Sequence, residues 1–296
     1  MKKLISLLII FFEIILFKIN LNAAMIEREL LYDKYTLTDT YTKNKKTKMI
    51  QWDKISQYLD SLEAFESEHI QYGSLGNYKN SKGGTPTPKK DFGIRWYQAI
   101  PLYTHDDLKV PYRYAKDGSL VAILAVGGKY TTVKLKEFDG IWLVPNRYVK
   151  ISNVKEFDKV IFIDIKYQNL VSLEKVDTVW KVRSINPITS GLDKPPYQLP
   201  TPLGSFIVQS KKRQMWYLKD GSKTEIEGHS PYATRFSGGG YVHGIPINLP
   251  RTELIEYGWY LGTYPRSHMC VRSATSHAKF LYEWSEINKT LVINFK

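Results

Sequence analysis

What most limits the folds open to this chain is how often it is interrupted. From about residue 92 onward, short runs of β-branched and aromatic residues are cut by glycine, proline and asparagine turn signals. Ile94-Arg95-Trp96-Tyr97 alternates, and so does the stretch from Leu120 to Val126; Gly127-Gly128 then turns the chain before Tyr130 to Leu135. Ile141 to Val144 and Tyr148 to Lys150 follow. Runs of this length and spacing form strands, so the chain reads as mainly β. Five or so strands in this span predict a small barrel over 92–152. A second β-rich region opens near Lys159, with strands at Val160–Ile165, Val179–Ile185, Thr201–Val208, Met215–Leu218 and Tyr241–His243, and it closes at Leu291–Phe295.

Helical signals are few. Trp52, Ile55, Leu59, Leu62 and Phe65 share one face of a helix predicted over Thr47–His69. Ser273 is placed to cap a second helix running through Ala274, Ala278, Leu281 and Trp284. Residues 25–46 show no clear period. Tyr72 to Asp91, with Gly73, Gly76, Gly83, Gly84, Pro86 and Pro88, reads as a linker. The expected organisation is a leader over 1–24, a helical and linker region over 25–91, the barrel over 92–152, and a C-terminal domain over 157–296.

At the N-terminus Lys2 and Lys3 precede an apolar run from Leu4 to Phe17, and Ala23-Ala24 follow. That is the order of a secretory signal peptide. The run is shorter than the roughly 20 residues that span a bilayer, so a membrane is a partner only if the leader is uncleaved. The expectation is an exported protein of the periplasm or cell envelope. A formal charge of +13 first suggests nucleic acid. The lysines, however, are scattered singly, and no recognition-helix pattern, zinc-finger spacing or aromatic RNA motif is present, so no nucleic-acid partner is expected. The same charge attracts anionic envelope polymers.

Cys270 is the only cysteine in the chain. In an exported protein it has no internal disulfide partner and is open to oxidation, and its setting, Ser267-His268-Met269-Cys270-Val271-Arg272, suggests a nucleophile. A free thiol needs a proton acceptor to react at neutral pH. Two histidines are available, His268 and, in Tyr241-Val242-His243-Gly244, His243. Strand alternation would put His268 and Cys270 on one face, and a helix start after Ser273 would favour the thiolate. Arg272 can grip a carboxylate through two parallel N–H bonds, and the N–H groups of Met269 and Cys270 can form an oxyanion hole. Zinc held by His243, His268 and Cys270 is the competing reading. No other ligand is spaced to complete such a site, and no metal is expected.

Three ordered motifs in residues 157–296 carry a resemblance. Ser190-Gly191 leads to Thr201-Pro202-Leu203-Gly204-Ser205-Phe206, a T-P-x-G-x-F element; Tyr241 to Gly244 is a histidine-glycine element; Ser267 to Arg272 follows [ST]-H-G-C-x-[RN] with Met269 where glycine is usual. The region resembles the L,D-transpeptidase (YkuD-type) catalytic domain. The 24 residues between His243 and His268 exceed the usual gap. The resemblance implies a β-sandwich with Cys270 as nucleophile, His243 as base with its ring oriented by the Gly244 carbonyl, and His268 in the same pocket. Arg272, Ser267, Gly244, Tyr241 and Met269 would bind substrate. The implied reaction is acyl transfer on peptidoglycan stem peptides through a thioester, passing the acyl group to an amine, including one on an envelope protein, or to water, with no cofactor. Residues 92–150, from Pro101-Leu102-Tyr103 through Gly140-Ile141-Trp142, are similar to bacterial SH3-like domains. The alternative is a catalytically degenerate protein that binds cell wall. Ile245 to Arg266, with Tyr257, Trp259, Tyr260 and Tyr264 between Gly258 and Gly262, is expected to form a lid.

Overall fold

The computed structural model describes residues 24–69, 71–78 and 97–296. The leader up to residue 23, residues 79–91 of the expected linker and residues 94–96 of the first expected barrel strand lie outside the described residues. Among the described residues no helix is long and apolar enough to cross a membrane.

The N-terminal region contributes β1 (Ile26–Arg28), a hairpin of β2 (Thr40–Lys43) and β3 (Lys46–Met49), and helix α1 (Trp52–Ser67). The helix is shorter than the predicted span because Thr47 to Met49 pair with β2 across a turn at Asn44 and Lys45, both at positive φ. Such a turn matches the twist of a two-residue hairpin. Ile55, Leu59, Leu62 and Phe65 are buried as their spacing requires. A helix of this length is marginal in isolation. Each of those side chains contributes about 1.5–3 kcal/mol on burial, so packing holds α1 in place.

A small β unit follows. β4 (Tyr72–Leu75), β5 (Gln98–Leu102), β6 (Arg113–Lys116), β7 (Leu120–Val126), β8 (Tyr130–Leu135), β9 (Ile141–Pro145) and β10 (Val149–Ile151) build it. Five of them form a sheet in the order β10-β4-β7-β8-β9. The β5–β6 hairpin joins its edge through paired hydrogen bonds between Tyr103 and Leu143, at 3.0 and 2.9 Å. Leu75, Ile100, Leu102, Val121, Val133, Trp142 and Val144 fill its interior. The unit draws β4 from before the expected boundary at residue 92, because Leu75 and Gly73 find backbone partners on β7 and β10.

The C-terminal region holds β11 (Lys159–Asp164), β12 (Asn169–Val176), β13 (Val179–Pro187), β14 (Gly204–Ile207), β15 (Ser210–Leu218), β16 (Ile226–Ser237), β17 (Gly240–His243), β18 (Ile247–Asn248), β19 (Val271–Arg272), α2 (Thr275–Trp284) and β20 (Leu291–Phe295). One sheet runs β1-β13-β12-β11-β20-β14 and the other β15-β16-β17-β19, with β18 on β16. β11 shows how they stack. Val160 and Phe162 join the core beneath α1, whereas Ile161 and Ile163 join a second core with Phe236, Val242, Val271 and Leu281. Successive strand residues face opposite sides, so a strand covered on both sides is apolar throughout. The chain is mainly β, and residues 158–293 form a two-sheet sandwich. β1 belongs to the first sheet through parallel pairing with β13. The region expected to be only helix and linker therefore completes a sheet.

Glu66 on α1 accepts the Phe157 N–H at 2.7 Å, and burial pushes its carboxyl up to about 7 against that bond. A folded-state pKa above the unfolded one means that the native state holds the proton more tightly, so this group's contribution falls as pH rises from about 4.5 to 7. Glu66→Gln keeps an acceptor for Phe157 and removes the titration. Urea melts at pH 5 and pH 8 should show wild type losing stability over that interval relative to the variant; parallel losses would refute the assignment.

Candidate active site

Backbone pairing assembles the site. β17 and β19 run parallel, with Val242 opposite Val271 and His243 opposite Arg272. This sets Tyr241–Gly244 beside Cys270–Ser273. Thr189 exchanges two backbone bonds with Arg272, at 2.8 and 2.9 Å, and the Ser190 carbonyl accepts the N–H groups of Arg266 and Ser267. Thr201 buckles these segments together: its hydroxyl accepts the Gly191 N–H at 2.8 Å and donates to the Met269 carbonyl at 2.7 Å. The threonine of the T-P-x-G-x-F element thus holds the chain next to the cysteine, a role that the motif alone does not disclose.

Cys270 is half-buried. Its thiol donates to the Gly239 carbonyl at 3.2 Å. Burial pushes the thiol up to about 11, opposed by the Tyr241 N–H and the Arg272 guanidinium. His243 is 2% exposed. Its Nδ1 lies 2.6 Å from the Gly244 carbonyl, which assigns the proton to Nδ1 and leaves Nε2 as the basic nitrogen. A Cβ on Gly244 would meet Pro231 Cγ and Thr275 Oγ1, both at 2.8 Å, so this close approach requires glycine. Burial drives His243 down to about 3; the Gly244 carbonyl opposes this and Arg272 adds to it. Among the described residues no hydrogen bond joins His243 to Cys270. Both shifts favour the uncharged forms, thiol and neutral imidazole.

Residues 158–293 match the family model of the L,D-transpeptidase catalytic domain, YkuD. Over these residues, a little under half of the chain, the protein is similar to the YkuD family. Among solved structures, a fused Zn-dependent amidase/peptidase/peptidoglycan-binding domain-containing protein from Clostridium acetobutylicum is 21% identical with a TM-score of 0.35. That match covers 49% of this chain and 54% of the other, so the chain spans about half the length of that relative. An L,D-transpeptidase from Mycobacterium smegmatis is 17% identical, covering 60% of this chain and 82% of that one, with a TM-score of 0.37. One from Mycobacterium tuberculosis is 20% identical, covering 62% and 92%, also with a TM-score of 0.37. No curated protein matches.

Within this region, several expected neighbours of the cysteine are placed differently. His268 has 45% of its side chain exposed and pairs through Nε2 with Asp220 at 3.1 Å, beyond the end of β15. The alternation that would set it beside Cys270 does not operate, because β19 begins only at Val271 and Met269 takes φ 120°. Among the described residues no group of three His, Cys, Asp or Glu side chains gathers at metal-binding distance. Nor does helix α2 open directly behind the cysteine. β19 intervenes, and the Ser273 hydroxyl bonds His277 Nδ1 at 2.6 Å instead of capping the helix. Glu256 takes that task, its carbonyl accepting the Thr275 N–H at 2.8 Å and its carboxylate the Ser276 N–H at 3.1 Å. The segment expected to be a lid is therefore pinned to α2, and Leu261 is fully buried with Ile245 and Ala274.

Met269 occupies the position where the family usually has glycine. At φ 120° its backbone lies in territory that glycine enters freely and other residues enter at a cost of about 1–3 kcal/mol. Its side chain is buried against Tyr97 and Leu199, and burying it offsets that cost by about 1.5–3 kcal/mol. Ser267 is buried, and its hydroxyl donates to the Cys270 carbonyl. Tyr241 is buried too, which pushes its phenol up to about 12. The Arg272 guanidinium hydrogen-bonds Tyr260 and lies 6.0 Å from its ring centre, while its buried Nε has no partner among the described residues.

A raised thiol has a direct signature. Iodoacetamide alkylation of Cys270, followed by intact mass, should accelerate about tenfold per pH unit from pH 6 to 10, because only the thiolate reacts. A plateau reached by pH 7 would mean that the thiol is depressed and that a Cys–His ion pair is the resting form.

Proposed function

We propose that Cys270 is the nucleophile of an acyl transfer on peptidoglycan stem peptides, with His243 as general base and Arg272 as carboxylate clamp. The observation that carries this reading is the β17–β19 register, which brings a histidine with a carbonyl-fixed ring and an arginine to the lone thiol. The imidazole Nε2 takes the thiol proton as Sγ attacks the carbonyl between the diamino acid and the terminal D-alanine. The tetrahedral adduct collapses to a thioester, and the departing D-alanine amine receives that proton from His243. An acceptor amine or water then attacks the thioester, gives a proton to His243 and releases the thiol, which recovers it. Because both partners start neutral, proton transfer accompanies attack and no standing ion pair is needed. His268, exposed beside Asp220, belongs to the rim where substrate enters. A substrate of this class places the protein in the cell envelope.

Mass spectrometry of residues 25–296 with disaccharide-tetrapeptide, beside Cys270→Ala, tests the reading. Wild type should form cross-linked dimer or release D-alanine, and the variant neither; the product distinguishes amine from water as acceptor. Arg272→Ala should lower kcat/KM about 10- to 100-fold, mainly through KM, as a lost charge-assisted bond does. A wild-type protein that neither turns over the tetrapeptide nor is acylated at Cys270 by a carbapenem would support the binding-only alternative.

A further inference from the structure

The small β unit reaches the cysteine through two residues that no motif singles out. Asp117, in the turn between β6 and β7, is 1% exposed. Its Oδ2 accepts the Gly238 N–H at 2.7 Å, Gln209 Nε2 at 2.9 Å and an Arg235 guanidinium N–H at 2.8 Å; its Oδ1 accepts the Asn77 N–H at 2.8 Å. A buried carboxylate with this many donors is held rigidly, since losing one leaves charge uncompensated. It holds the turn that joins β16 to β17, and within that turn Gly239 supplies the carbonyl facing the Cys270 thiol.

Tyr97 covers the same turn. A Cβ on Gly238, itself at φ 48°, would lie 2.1 Å from Tyr97 Cγ, and one on Gly239 would lie 2.7 Å from its hydroxyl. The ring therefore rests directly on two glycines that leave room for it. Tyr97 is 8% exposed, adopts φ 63°, hydrogen-bonds Tyr78 and packs against Met269 and Leu199. It is anchored from its own side by the Asp117 N–H, which donates to the Tyr97 carbonyl at 2.9 Å.

We propose that Asp117 and Tyr97 are positioning residues of the cysteine site, clamping the Gly238–Gly239 turn so that the Gly239 carbonyl holds the Cys270 thiol. The small β unit is then a working part of the site as well as its neighbour. The inference rests on Cys270 as the nucleophile. The groups that bear on Sγ electrostatically are Arg272 from β19, the Tyr241 N–H, and the phenols of Tyr97 and Tyr241. Loosening the turn removes an acceptor that favours the protonated thiol and admits water, and both changes favour thiolate.

The test uses residues 25–296 carrying Tyr97→Ala, Tyr97→Phe or Asp117→Asn. Three quantities are read: iodoacetamide alkylation of Cys270 from pH 5 to 11, tetrapeptide turnover, and melting temperature. Tyr97→Ala should raise alkylation at pH 7 by about tenfold and lower turnover by about tenfold. Tyr97→Phe keeps the ring on the glycines and should return both to within about threefold of wild type. Asp117→Asn, nearly isosteric, should move alkylation in the same direction as Tyr97→Ala and decides the matter if that variant does not fold. A folded Tyr97→Ala or Asp117→Asn protein whose alkylation profile superposes on wild type overturns the proposal. If wild type itself shows no turnover, the reading of Cys270 as nucleophile fails separately, and the alkylation profiles still answer for the clamp.

Discussion

The site depends on one stretch of backbone pairing, β17 lying parallel to β19. Two residue pairs, Val242 with Val271 and His243 with Arg272, align chain segments nearly thirty residues apart in sequence. Val242 and Val271 turn into the core shared by the two sheets. Neighbours of an inward strand residue face outward, so burying these valines is what carries His243 and Arg272 to the opposite side, beside Cys270. A one-residue slip would reverse every side chain, and the apolar core excludes it.

The surrounding loops then have little freedom. Thr201, Ser190 and Thr189 tie residues 266–272 from one side. Glu256 binds the start of α2 and holds the preceding segment down. Met269 shows how strong these restraints are. A methionine is kept at φ 120°, where glycine would rest without strain, because the bonds on either side leave its backbone no alternative and its side chain has an apolar seat against Tyr97 and Leu199. The resulting environment is dry. Burial disfavours charge on both the thiol and the imidazole. The buried Asp117 is tolerated in this region because two Asp117 oxygens are matched by donors from both structural units.

Much of this architecture was legible in the residues. Period-two runs and turn signals located most strands, and the spacing of Ile55, Leu59, Leu62 and Phe65 located the face of α1. The lone cysteine, with His243 and Arg272 in short motifs, marked where to look for a site. What was not legible involved partners distant in sequence. Nothing about Thr47–Met49 says that they pair with β2 instead of extending the helix, or that Ile26–Arg28 joins β13. His268 was assigned to the cysteine's face by an alternation that needs a regular strand, and the backbone at Met269 is not one. Glu256 as the cap of α2 lies in a segment whose aromatic residues suggested a lid.

By itself, the sequence determined the local matters: which runs can be strands, which face of a helix is apolar, and where the one thiol, the imidazoles and the guanidinium groups lie along the chain. Those follow from side-chain chemistry and short-range periodicity. Tertiary structure alone decided which histidine ring a backbone carbonyl fixes, which carbonyl the thiol meets, and that Tyr97 and Asp117 from the small β unit wall and anchor that spot. These choices come from packing and hydrogen bonding between residues up to about 170 positions apart, and no local pattern encodes such contacts.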